Sequence, residues 1–173
     1  DIPRPFSSYG ASKLKSENII QDLCKGSKMN YVIIRPPLVY GKNAPGNFGN
    51  LIKFINNFYV IPFGSLINPI SILSISNLIS FIIFCINEKK TENRVFIISD
   101  KKELTVKDII KKIVESIEKK RIILSVNIKI LYLFSFIIGF NEKLDTIFKT
   151  KVYDSYDTYK DLHWRPNISF EEE

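Results

Sequence analysis

Four consecutive apolar residues, Tyr31-Val32-Ile33-Ile34, run straight into Arg35-Pro36-Pro37. A short β-branched run with no polar alternation fits a strand buried on both faces, the kind found in parallel sheets. The prolines cannot donate ladder hydrogen bonds, so the strand must stop there. Upstream, residues 9–23 place Ala11, Leu14, Ile19, Ile20 and Leu23 at spacings that predict a helix with one buried stripe, and Gly26 is a natural stop. Helix, short loop and fully apolar strand is the rhythm of a parallel α/β sheet. Ligands of such sheets sit beyond the carboxyl ends of the strands. Residues 35–41 are therefore expected at the rim of a site.

The same reading continues along the chain. Asn47 can cap a helix running to about Phe58, with Phe48, Leu51, Ile52 and Ile55 inside. A short strand is expected over 71–75, a very apolar helix over 77–87, and another buried strand over 94–98, closed by Ser99-Asp100. Thr105 caps an amphipathic helix to Lys119 that buries Val106, Ile109, Ile110, Ile113 and Ile117. Beyond it come a strand over 122–126, a buried helix over 128–140, a short helix over 144–148, an extended piece at 152–153 and a helix over 155–162.

Bulk properties exclude several classes. The 173 residues suffice for one domain with a real core, and 45% hydrophobic with 25% charged residues is ordinary for a globular protein. The net charge of +7 is spread over isolated lysine pairs without interleaved aromatics, so no nucleic-acid groove is expected. Cys24 and Cys85 read as buried thiols in a reducing compartment, and the single histidine, His163, has no second ligand nearby. The apolar stretch 71–86 is broken by serines and an asparagine, and 128–140 is too short for a bilayer of about 30 Å, so no stable membrane insertion is expected. The chain opens Asp1-Ile2-Pro3 and stops at Glu171-Glu172-Glu173, where a new helix is expected to begin, so it reads as a fragment of a longer protein.

The segment Ser7-Ser8-Tyr9-Gly10-Ala11-Ser12-Lys13 opens the first helix, with Ser7 or Ser8 as its N-cap. Tyr9 and Lys13, four apart, lie on one face. An ammonium beside a phenol favours the phenolate, and such a phenol can take a proton from a substrate alcohol and return it. By itself the spacing also describes an ordinary surface turn.

The order of several pieces decides between these readings. Tyr9-Gly10-Ala11-Ser12-Lys13 is followed by Arg35-Pro36-Pro37-Leu38-Val39-Tyr40-Gly41 and Pro45-Gly46-Asn47-Phe48. Then come Ser74-Ile75-Ser76-Asn77-Leu78, Phe96-Ile97-Ile98-Ser99-Asp100, and Tyr153-Asp154 with Leu162-His163-Trp164-Arg165-Pro166. This set resembles the C-terminal part of an extended short-chain dehydrogenase/reductase, in the NAD-dependent nucleotide-sugar epimerase/dehydratase branch of UDP-hexose 4-epimerase type.

The resemblance implies an α/β chain that is the C-terminal part of a Rossmann-like NAD(P)-binding fold plus a small α/β substrate-binding region, without the N-terminal Rossmann half. Residues 1–41 and 70–100 would belong to the Rossmann-like part, and 42–69 and 101–173 mainly to the substrate part. It implies NAD as cofactor, a nucleotide-sugar as substrate, a cytoplasmic enzyme of polysaccharide biosynthesis and, as in many relatives, a homodimer. Tyr9 would be the catalytic acid/base and Lys13 its neighbour on the nicotinamide ribose. Pro36 would lie against the nicotinamide. Asn47 would bind the nucleotide-sugar unless it serves only as a helix cap, and Tyr40 would shape the substrate pocket. Asp100 reads as a turn residue and Trp164 as a core anchor.

Three departures stand out. The chain has no glycine-rich dinucleotide fingerprint, so alone it is expected not to hold NAD. The family's catalytic Ser/Thr, upstream of the tyrosine, is absent too. The arginine that usually precedes the Asn77 region and holds the substrate diphosphate is missing, because Asn68-Pro69-Ile70-Ser71 stands there.

Overall fold

The computed structural model describes residues 5, 7–44, 46–117, 119–137 and 152–173. Two parallel strand pairs frame the site. β1 (Val32–Arg35) pairs with β6 (Arg94–Ile97), and β2 (Leu38–Tyr40) pairs with β5 (Ile72–Ser74). Two smaller ladders join distant segments: β3 (Val60–Ile61) runs parallel to β8 (Ile122–Ile123), and β4 (Pro69–Ile70) runs antiparallel to β7 (Leu104–Thr105). The helices are α1 (Ser8–Cys24), α2 (Gly46–Asn57), α3 (Ile75–Asn87), α4 (Val106–Ser116), α5 (Ile128–Ile137) and α6 (Tyr156–Leu162).

Local chemistry explains most of these boundaries. Ser7 caps α1, its Oγ accepting from the Gly10 amide at 3.1 Å. Ser74 ends β5 and at once caps α3, accepting from the Asn77 amide at 2.9 Å, so the helix starts two residues earlier than the sequence suggests. Thr105 and Asp108 form a reciprocal capping box at the start of α4. At the end of α2, Arg121 donates to the carbonyls of Ile55 (2.7 Å) and Asn56 (2.8 Å), which have no partner inside the helix.

Two hydrophobic clusters hold the elements. In the larger, α2 and α4 pack Phe48, Leu51 and Ile55 against Ile109, Ile110 and Ile113. In the smaller, Phe81 of α3 meets Phe96 of β6 and Trp164 edge-on, with centroids 5.5 and 4.7 Å apart. Each such pair contributes about 0.5–1.5 kcal/mol beyond burial. Trp164 is thus the core anchor its sequence context suggests.

Asn77 and Asp100 lock the C-terminal segment to this frame. Asn77 is fully buried; its Nδ2 donates to Asp100 Oδ1 and to the Ile168 carbonyl, both at 2.8 Å, and its Oδ1 accepts from the amides of Asn167 and Ile168 at 3.1 Å. Asp100 also accepts from the Tyr40 hydroxyl at 2.7 Å and the Ser74 amide at 3.2 Å. Asp100 is therefore a hub between β2, α3 and the C-terminal segment, more than a turn residue.

Several expectations are corrected. The stripe of α1 is not buried: Ile19, Ile20 and Leu23 are exposed, Leu14 is half-buried, and only Cys24 is buried. Among the described residues no element packs over that face. α5 is not a buried helix either, since Ile128, Ile130 and Leu133 are exposed while Leu131 reaches the core. A helix apolar on every side can bury only the face turned to its neighbours. α2 begins at Gly46, so Asn47 lies inside its first turn and is not its cap. The chain ends in a turn at 170–172 where a helix start was expected. The expected helix over 144–148, and residues 138–140 of the one before it, lie outside the described residues.

Candidate functional site

A cleft of about 1090 Å³ opens at the carboxyl ends of β1 and β2, where a parallel sheet places its ligands. One wall is α1. Tyr9, Lys13 and Glu17, each four residues from the last, line the cleft together, as a helical period requires. The floor is Ile34 through Val39, with Pro36 exposed to the cleft. The loop after β2 and the first turn of α2 also line it, through Lys42, Asn47 and Phe48. Ile70, Ser71 and Tyr153 contribute as well, and the Tyr153 amide donates to Ser71 Oγ at 2.9 Å.

The Lys13 ammonium stands over the Tyr9 ring, 5.4 Å from its centroid. That is cation–π distance, and it fixes the two side chains on one side of the helix. Tyr9 is 71% exposed, so its hydroxyl is open to a ligand. One turn further on, Glu17 receives the guanidinium of Arg35, whose Nε donates to Oε1 and Oε2 at 3.1 and 3.2 Å while Nη2 also donates to Oε2. The pair ties α1 to the end of β1, and the hydrogen bond to Glu17 raises the Arg35 pKa further. Glu17 lines the same cleft and was overlooked in the sequence reading, although its i+4 relation to Lys13 was the available signal.

Of the five candidate residues, the structure brings Tyr9, Lys13, Pro36 and Asn47 to one cleft. Tyr40 is not with them. It is 2% exposed, its ring lies between Phe48 (5.8 Å) and Phe170 (4.7 Å), and its hydroxyl is spent on Asp100. Burial pushes the Tyr40 phenol well above its ordinary range, and the Asp100 carboxylate pushes the same way. Leu38 and Tyr40 both pack on the larger cluster, Leu38 only in part, so it still reaches the cleft floor, whereas Tyr40 is wholly inside. Gly41 follows with φ +146°, and a Cβ there would meet Ile75 Cγ2 and Glu173 Oε1 at 2.5 Å, so no other residue fits the turn into the cleft loop.

Parallel strand pairs, a cleft at their carboxyl ends and a tyrosine–lysine pair on the adjoining helix are the arrangement that the short-chain dehydrogenase/reductase resemblance implies. The chain belongs to the NAD dependent epimerase/dehydratase family, whose model matches residues 1–98. It is 32% identical to UDP-glucose 4-epimerase of Vibrio cholerae over 99% of this chain and 53% of that protein. It is 26% identical to N-acetyl-alpha-D-glucosaminyl-diphospho-ditrans,octacis-undecaprenol 4-epimerase of Escherichia coli O157:H7, over 67% of this chain and 36% of that protein. Its fold matches that of UDP-glucuronic acid 4-epimerase from Bacillus cereus in complex with NAD (TM-score 0.71, 20% identity), covering 99% of this chain and 50% of that one. It also matches UDP-glucose 4-epimerase from Thermotoga maritima with UDP-glucose (TM-score 0.68, 18% identity, 99% of this chain and 52% of that one). The chain thus spans about half the length of the relatives it matches. NAD is the cofactor of the family. Among the described residues no helix is long and apolar enough to cross a membrane.

Proposed function

We propose that the protein carrying this chain interconverts a UDP-hexose with its C4 epimer. The observation that carries this reading is the Lys13 ammonium over the Tyr9 ring, facing the same cleft as Pro36 and Asn47. A phenol, an ammonium and a proline ring on one cleft suit the nicotinamide-ribose end of NAD. Tyr9, Lys13 and Pro36 would hold that end, while the phosphate cradle is no part of this sequence. When bound there, NAD would supply hydride acceptor and donor chemistry at C4 of the sugar.

The chain's own residues supply the proton chemistry. Tyr9 Oη takes the proton of the C4 hydroxyl and gives it back after the keto-sugar has turned over in the cleft. Lys13 holds positive charge over the ring that carries that oxygen, which favours its ionised form during the transfer. The Glu17–Arg35 pair keeps α1 at its distance from the end of β1. Asn47, exposed on the first turn of α2, faces the nucleotide-sugar. We place the enzyme in the cytoplasm, in keeping with its free Cys24 and Cys85, and in polysaccharide biosynthesis. A homodimer is part of the reading, for which Ile19, Ile20 and Leu23 offer an apolar surface.

Incubating the intact protein with UDP-glucose or UDP-N-acetylglucosamine should yield the C4 epimer without added reductant. A reduced or dehydrated product instead would assign the same apparatus to a reductase or dehydratase.

A further inference from the structure

The cleft has an uneven charge balance. Three cations, Lys13, Arg35 and Lys42, line it against a single acid, Glu17. Glu17 is consumed by Arg35, which donates to it through two nitrogens. Lys13 is committed to the Tyr9 ring at the chemical end. Lys42 is exposed, lines the same cleft from the loop after β2, and has no acidic partner among the described residues. Its loop is held in place: the Ala44 amide donates to the Gly41 carbonyl at 3.1 Å, and Gly41 is locked against Ile75. Ile70, buried and apolar, stands in the wall where an arginine was expected from the resemblance. A hydrocarbon there cannot bind phosphate, yet the cleft as a whole keeps an uncompensated positive charge.

We propose that Lys42 grips the diphosphate of the substrate, so that the cation missing at position 70 is supplied from the β2–α2 loop. This rests on the nucleotide-sugar reading above and assigns the residue that makes it work in this chain. A lysine acts as a point charge and does not form the planar bidentate fork of an arginine. The site should therefore sense the charge of the diphosphate more than its orientation.

Calorimetric titration of the intact protein with UDP and with uridine tests the assignment. The wild type should bind UDP more tightly than uridine. Lys42→Met should weaken UDP binding by about tenfold or more, with uridine affinity and bound NAD unchanged, and Lys42→Arg should keep the preference. Unchanged UDP affinity in Lys42→Met overturns the role of Lys42 and leaves the epimerase reading standing. Equal affinity of the wild type for UDP and uridine contradicts both.

Discussion

Lys13 Nζ stands 5.4 Å from the centroid of the Tyr9 ring, one helical turn along α1, at the mouth of the cleft. The two side chains are held by helix geometry alone, so either can be changed without disturbing a core. Lys13→Ala should leave the melting temperature nearly unchanged and lower kcat by about a hundredfold. Lys13→Arg, which keeps the cation over the ring, should recover part of that loss. Steady-state kinetics of the three proteins check it.

The Glu17–Arg35 pair connects α1 to the strand that floors the cleft, with side chains only 18% and 30% exposed. Glu17→Ala strands a half-buried guanidinium and should cost about 1–3 kcal/mol in urea unfolding. It should also lower turnover although Glu17 touches no reacting atom, because α1 loses its register on β1. Equal stability of wild type and variant would show that the pair holds nothing.

Tyr40 gives a pH signature. Its folded pKa is raised by burial and by Asp100, so above about pH 10 the unfolded chain releases a proton that the folded chain keeps. Tyr40 therefore makes stability fall as pH rises past that value. Tyr40→Phe removes the donor to Asp100 and should cost about 1–2 kcal/mol at neutral pH. The gap to wild type should then narrow above pH 10, and chemical denaturation across pH 7–11 measures it.

The capping box acts on the acid side. Asp108 has its pKa lowered, first by the Thr105 side chain, so its contribution is complete above the unfolded carboxylate value and disappears as pH falls through the lowered one. Thr105→Ala should cost about 1 kcal/mol. Asp108→Asn should flatten the acid limb of the stability profile, followed by circular dichroism at 222 nm from pH 2 to 6.

Much of this was legible in the sequence where one face of an element meets one core. The β-branched runs of β1 and β6 and the three-four spacing of Val106, Ile109, Ile110 and Ile113 specify their elements, because burial follows periodicity there. Tyr9 and Lys13 were legible because their relation lies within one helix. The failures have another physical origin. Burial of α1 and α5 depends on neighbours that apolar spacing does not name. The two-residue strands β3, β4 and β7 are too short to carry a period, and β8 fills only the first two residues of the strand expected over 122–126. Tyr40 looked like a pocket residue until Asp100, sixty positions away, claimed its hydroxyl. Asn77 gave no hint that its partners would be backbone groups about ninety residues downstream.

The central claim is that Tyr9 moves the proton. Tyr9→Phe deletes one hydroxyl from a side chain that is 71% exposed. The measurement is the rate of C4 epimer formation by the intact Tyr9→Phe protein, followed by NMR, alongside its NAD content and UDP affinity. A loss of about a hundredfold or more is expected, with both binding properties retained. Epimer formation at the wild-type rate would contradict it.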